Sequence, residues 1–313
     1  THKSVAIWDA PCPSPDLVCD EIINLHYFLD TSTIFLAMAG GDVIVVRENP
    51  LPGEEKIEIV GSVDEGISAA KWSPDEELLI ITSKANTVNY MSRSFQGVKN
   101  IVLTSDDLNM SKQISVGWGK KETQFRGRGA RALKDPTIPE KIDEGALSPN
   151  DDSQVSISWR GDGLYIAISS VEVNRRRVIR VFTREGVLDS VSEPVDGLES
   201  ALSWRPAGNI IAGVQRFEDH LDVVFFERNG LRHGQFRLRA SPTQLKKSYE
   251  YIQLHWSPDS AVLAVTTTEH TELWTMGNYH WYLKQQVSHE QLLPFCSLLW
   301  HPERALRFIL GSK

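Results

Sequence analysis

A tryptophan recurring on a regular spacing constrains this chain more than any other feature. The stretches KWSPDEELLIIT (71–82), SWRGDGLYIAIS (158–169), SWRPAGNIIAGV (203–214) and HWSPDSAVLAVT (255–266) share one grammar. Each reads as a strand closing on Trp, a reversal rich in Pro, Gly or Asp, and a second strand of small and branched apolar residues. LWHPERALRFIL (299–310) is a shortened fifth copy. The tryptophans stand at 72, 159, 204, 256 and 300, giving intervals of 87, 45, 52 and 44. The first interval is close to two periods, and Trp118 divides it into 46 and 41.

A unit of this length accommodates four short antiparallel strands that cannot bury both faces alone, so neighbours must stack to form a core. With a worn copy over 22–46, blades start near 24, 72, 118, 159, 204, 256 and 300. The expected fold is all-β: a seven-bladed WD40-type β-propeller forming one domain over 1–313. Its ring is closed where the lone strand SVAIWD (4–9) pairs with the last, half-length blade, which removes two exposed edges. The repeated tryptophans are expected as spacers between blades. Asp75, Asp162 and Asp259 are expected as turn acceptors rather than catalytic carboxylates. The polar segment 133–154 lacks periodicity and is expected as an extended or mobile insertion in the third blade. On the outer strands, Arg180, Arg184, Glu227 and Arg228 are expected to face solvent or pair laterally, and Asn229-Gly230 to form a turn.

The residues that would carry chemistry are missing from the pattern. Nine histidines include no HExxH pair and no close Cys/His set, and no GxSxG elbow accompanies the serines. His26, His255 and His301 sit in repeated strand or turn contexts. Three scattered cysteines, Cys12, Cys19 and Cys296, form no disulfide framework or metal pair, which suits a reducing compartment. No apolar run reaches membrane-spanning length and no secretory leader is visible. The expectation is a protein without enzymatic activity, cofactor or metal.

Two stretches exceed what blades require. The formal charge of the chain is −8, unlike a nucleic-acid binder, yet 112–134 holds seven basic residues against Glu122. Within VGWGKKETQFRGRGARA (116–132), Lys120, Lys121, Gln124, Phe125, Arg126, Arg128 and Arg131 are candidates for a protein contact, an RNA contact or a hydrated basic surface. The Gly-Arg text is not a phosphate loop, because no GxxxxGK[ST] is present. In GNYHWYLKQ (277–285), Tyr279, His280, Trp281, Tyr282 and Lys284 are further interface candidates. Strand alternation would put Tyr279 and Trp281 on one face and His280 and Tyr282 on the other, with packing between blades as the competing use.

These stretches, together with SWRGDG, SEPVDGL (192–198) and FFERNGLRHGQF (225–236), resemble in order the N-terminal propeller of the largest, scaffold subunit of the Elongator complex, of fungal type. The resemblance implies a non-catalytic assembly role in modifying the wobble uridine of tRNA. The radical SAM and acetyl-CoA chemistry would then reside in a separate catalytic subunit. Implied partners are the other Elongator subunits, including that catalytic subunit and a second WD40-propeller subunit, with tRNA met mainly through the assembled complex. It further implies a homodimer formed through a C-terminal region absent from this sequence, and a cytoplasmic location with the nucleus as a second site. The alternative is direct RNA contact through 112–134.

Overall fold

A computed structural model describes residues 20–110, 143–172, 176–240, 251–289, 296–304 and 306–312. Trp118, the basic stretch 116–132, the strand expected at 4–9, Cys12 and Cys19 lie outside the described residues. The chain divides into two compact units, Thr1–Thr104 and Ser105–Lys313.

The first unit holds two four-stranded antiparallel sheets, each in simple sequence order. One is β1 (Ile22–Phe28), β2 (Thr33–Met38), β3 (Asp42–Arg47) and β4 (Ile57–Ser62); the other is β5 (Ile67–Trp72), β6 (Leu78–Ser83), β7 (Thr87–Ser92) and β8 (Gly97–Val102). The second unit opens with a 3-10 turn at Ser105–Met110. Three more four-stranded sheets follow: β9 (Ser156–Trp159), β10 (Tyr165–Val171), β11 (Arg177–Thr183) and β12 (Leu188–Val191); β13 (Leu198–Trp204), β14 (Ile210–Arg216), β15 (Leu221–Glu227) and β16 (Arg232–Arg237); β17 (Gln253–Trp256), β18 (Leu263–Thr266), β19 (His270–Gly277) and β20 (His280–Ser288). A two-stranded sheet, β21 (Cys296–Trp300) and β22 (Phe308–Ser312), ends the fold. The sheets coincide with the repeats read from the sequence.

Burial grades from one edge of a sheet to the other. In the second sheet β6 is buried at every position while β8 is almost wholly exposed. A strand covered on both faces reads as an apolar run instead of alternating, which explains LLIITS and IAIS. The repeat tryptophans pack back onto the preceding sheet, as expected. Trp72 meets Phe28 and Phe35 edge-on at 4.9 and 5.2 Å. Trp204 shares a core with Ala167, Ile179 and Val181, and Trp256 with Phe225 and Phe236.

The turn after each tryptophan repeats one geometry. The fourth residue beyond Trp has positive φ in every full copy described: Glu76 (60°), Gly163 (68°), Gly208 (112°) and Ser260 (62°). In the two Trp-Ser-Pro-Asp copies, Ser73 donates to Asp75 and Ser257 to Asp259, each at 2.5 Å. Each serine oxygen also accepts the backbone N–H of the returning strand, from Leu78 at 3.0 Å and Val262 at 2.9 Å. The sheets are further linked through the residue before Trp: Ser158 accepts the backbone N–H of Trp204 at 2.8 Å, and Ser203 that of Trp256 at 3.2 Å.

One expectation needs correction. Arg180 neither faces solvent nor pairs at the surface; it is fully buried, bonded to Glu172 and, at 3.1 Å, to Asp107 of the 3-10 turn. The described part of the polar insertion, 143–154, contains no strand but is anchored along its length. One carboxylate oxygen of Asp196 accepts the backbone N–H groups of Glu144, Gly145 and Ala146 at 2.8–3.0 Å. Ser148 donates to buried Glu199, itself paired with Arg216. Asp151 grips Arg177 through two bonds of 2.6 and 2.7 Å, with both side chains out of reach of water. Polarity here marks buried ion pairs, which sequence periodicity does not register.

Candidate protein interface

Chemistry can be weighed first on the acidic and histidine side chains. Among the described residues no group of three or more His, Cys, Asp or Glu could hold a metal ion, and no helix is long and apolar enough to cross a membrane. Asp162 accepts both prongs of Arg160 at 2.8 and 2.6 Å, and that guanidinium holds its carboxyl below the ordinary range. The Ser257 hydroxyl does the same for Asp259. A general acid needs the opposite shift, so these side chains act as turn acceptors. His26 bonds Glu76 at 2.9 Å, His255 bonds Gln253 at 3.2 Å, and His301 accepts the N–H groups of Glu303 and Arg304 in its turn. An open cleft of about 580 Å³ in the first unit is lined by Asp64, Glu65, Asn89, Met91, Lys99 and Asn100, without a histidine.

The second candidate stretch forms the tip and outer strand of the sheet ending in β20. Gly277 pairs with His280, leaving Asn278-Tyr279 as a two-residue hairpin loop. Both loop residues have positive φ, 48° and 62°, the backbone of a type I′ turn whose second position strongly favours glycine. Tyr279 therefore does not alternate with Trp281 on a strand. It stands at the tip, 80% exposed, held in a conformation that costs a non-glycine residue about 1–2 kcal/mol.

Trp281 has the opposite fate. Its ring stacks on Phe225 and Phe236, both at 4.9 Å, and lies 5.9 Å from Trp256, joining the core between two sheets. Its aromatic area is used within the fold. His280 and Tyr282 share the other face of β20, as alternation requires, and both are exposed. The Tyr282 ring lies over Gly277, where a Cβ would make ordinary contact with it at 3.6 Å. Met276 on β19 is also exposed. Lys284 is the extra residue of a β-bulge, lying between Leu283, which pairs with Trp274, and Gln285, which pairs with Leu273; it is exposed and has no carboxylate partner among the described residues.

Tyr279, His280, Tyr282 and Lys284 thus form one surface, while Trp281 supports it from behind. Lys120, Lys121, Gln124, Phe125, Arg126, Arg128 and Arg131 lie outside the described residues. Sequence reasoning missed the strained turn because Asn-Tyr lacks the glycine that normally announces it.

A family model described as the ELP1 first N-terminal beta-propeller matches residues 1–303. The chain is 45% identical over 299 residues to Elongator complex protein 1 of Schizosaccharomyces pombe, covering 94% of this chain and 23% of that protein. It is 41% identical over 321 residues to Elongator complex protein 1 of Saccharomyces cerevisiae, covering 91% and 23%, and 41% identical over 302 residues to that of Mus musculus, covering 90% and 21%. The chain therefore spans under a quarter of the length of these relatives. Its repeated four-stranded sheets, their tryptophan spacers and this match agree: the chain belongs to the family of ELP1 first N-terminal β-propellers.

Proposed function

We propose that this chain is a non-catalytic assembly domain of the Elongator complex, supporting modification of the tRNA wobble uridine by a separate catalytic subunit. Family membership supplies the setting. The observation that carries the reading is the 276–284 hairpin. An exposed aromatic residue kept in a costly backbone conformation marks a site where stability is traded for contact. Exposed Tyr residues beside a buried aromatic support are a favourable arrangement for an interface anchor. In this reading the hairpin meets another Elongator subunit, and tRNA is met mainly through the assembled complex, in the cytoplasm or the nucleus.

The test uses the full-length protein carrying Tyr279→Gly and Tyr282→Ser, purified from cells with its partners. Expected is loss of at least one other Elongator subunit, with tRNA modification falling in parallel. Full subunit recovery in the chain carrying Arg126→Ala, Arg128→Ala and Arg131→Ala, with tRNA affinity and its salt dependence both reduced, would instead favour direct RNA contact through 112–134.

A further inference from the structure

The outer strand β20 differs from its counterparts in length. It runs nine residues, against six for β4, β8 and β16 and four for β12. It is the terminal strand of its sheet among the described residues, so one row of its backbone N–H and C=O groups is left without a strand partner. Long open edges are ordinarily blunted, because they recruit other strands. Here the blunting devices are a single lysine and its bulge, and no proline interrupts the strand.

The charged side chains carried by β20 and by the neighbouring outer strand share one sign. β16 and β20 together hold Arg232, Arg237 and Lys284 and no Asp or Glu, in a chain whose formal charge is −8. The two strands meet through Phe236, whose ring lies 4.9 Å from Trp281 and 4.6 Å from Trp274. Arg232 is satisfied by Asp143 at 3.0 Å. His280, Lys284 and Arg239 have no carboxylate partner among the described residues, and Arg237 is largely exposed, 3.7 Å from buried Asp222.

We propose that β20 receives an acidic, extended segment of a partner protein as an added strand. The open backbone edge supplies the hydrogen bonds, His280 and Lys284 meet its carboxylates, and Tyr279 and Tyr282 cover its apolar side chains. This rests on the assembly reading of the same hairpin and adds the chemistry of the partner. A nucleic acid would use the positive charge and the aromatic rings but not the backbone edge, which is longer on β20 than on the other described outer strands.

The test uses the 313-residue chain and labelled peptides of about ten residues alternating Glu with Val. Controls are the same peptide with a central Pro, a Lys-for-Glu version, and an oligouridylate of equal charge. Expected is binding of the Glu/Val peptide with new amide protection within 281–287. The Pro and Lys peptides should bind at least about tenfold more weakly, and so should the Glu/Val peptide to the chain carrying His280→Glu and Lys284→Glu. Unchanged circular dichroism would establish that the variant folds. Equal binding of the Pro control, or oligouridylate binding as tightly as the Glu/Val peptide, overturns the proposal. If the peptides fail while Tyr279→Gly and Tyr282→Ser still release a subunit from the complex, strand addition is refuted and the assembly reading stands. If no subunit is released either, both fall.

Discussion

Replacing Arg177 by Met tests the claim that buried charge, rather than apolar contact, fastens 143–154 to its sheet. Arg177 and Asp151 are 1% and 0% exposed in their side chains, joined by bonds of 2.6 and 2.7 Å. Arg177 also donates to the Gln154 carbonyl at 2.9 Å and lies 3.6 Å from Asp152. Removing the guanidinium leaves a carboxylate without water or counterion, a loss of about 3–5 kcal/mol. For a unit the size of residues 105–313 each kcal/mol lowers the midpoint by about 2–4 °C, so the expected drop is roughly 6–20 °C. The assay is thermal unfolding of wild type, Arg177→Met, Asp151→Leu and the double variant, with amide exchange at Glu144–Ala146 as the local readout. The double variant should be more stable than either single one, because an apolar pair strands no charge. Strictly additive losses, or unaltered exchange at 144–146 in Arg177→Met, would refute the reasoning.

Three further outcomes follow from described contacts. Tyr279→Gly should raise stability by about 1–2 kcal/mol, since glycine occupies positive φ without strain; an unchanged unfolding midpoint would deny that the turn is strained. Trp204→Phe should cost about 1 kcal/mol more than Trp256→Phe in denaturant titration, because Trp204 donates its indole N–H to the Gly208 carbonyl at 3.2 Å whereas that of Trp256 has no acceptor among the described residues. Burial holds the His289 imidazole below its ordinary value of 6.5, outweighing backbone hydrogen bonds that act to raise it. A lowered imidazole favours the folded state above the unfolded value and loses that contribution as pH falls through the folded one. The groups around it are His270, Glu272 and Thr271, the last bonded to His289 at 3.2 Å. Between pH 7.5 and 5.5 (about one unit either side of the ordinary value), wild type should therefore lose more thermal stability than His289→Gln.

Features that recur were legible in the sequence, and features that occur once were not. The tryptophans, the reversal after each, and the Asp acceptors repeat from copy to copy, so one physical cause leaves several marks. Arg180 could not be placed by period, because β11 is buried on both faces and no alternation survives to separate an inward arginine from an outward one. Asp151 and Arg177 are 26 positions apart, one of them in a segment without secondary structure. The hairpin surface was half legible. Its aromatic density drew attention to 277–285, but which ring supports the fold and which faces outward depends on a turn that ends one residue later, at Tyr279, than strand alternation assumes.

The link between successive sheets bears on how such a chain can grow. The serine before one tryptophan is used by the amide of the next, from Ser158 to Trp204 and from Ser203 to Trp256. Duplicating a whole repeat therefore copies a giver and a receiver together and leaves every bond accounted for. Losing half a repeat strands an amide or a hydroxyl at the seam. Across these two seams a whole Ser-Trp repeat is therefore the unit that can be added without leaving an amide unmatched.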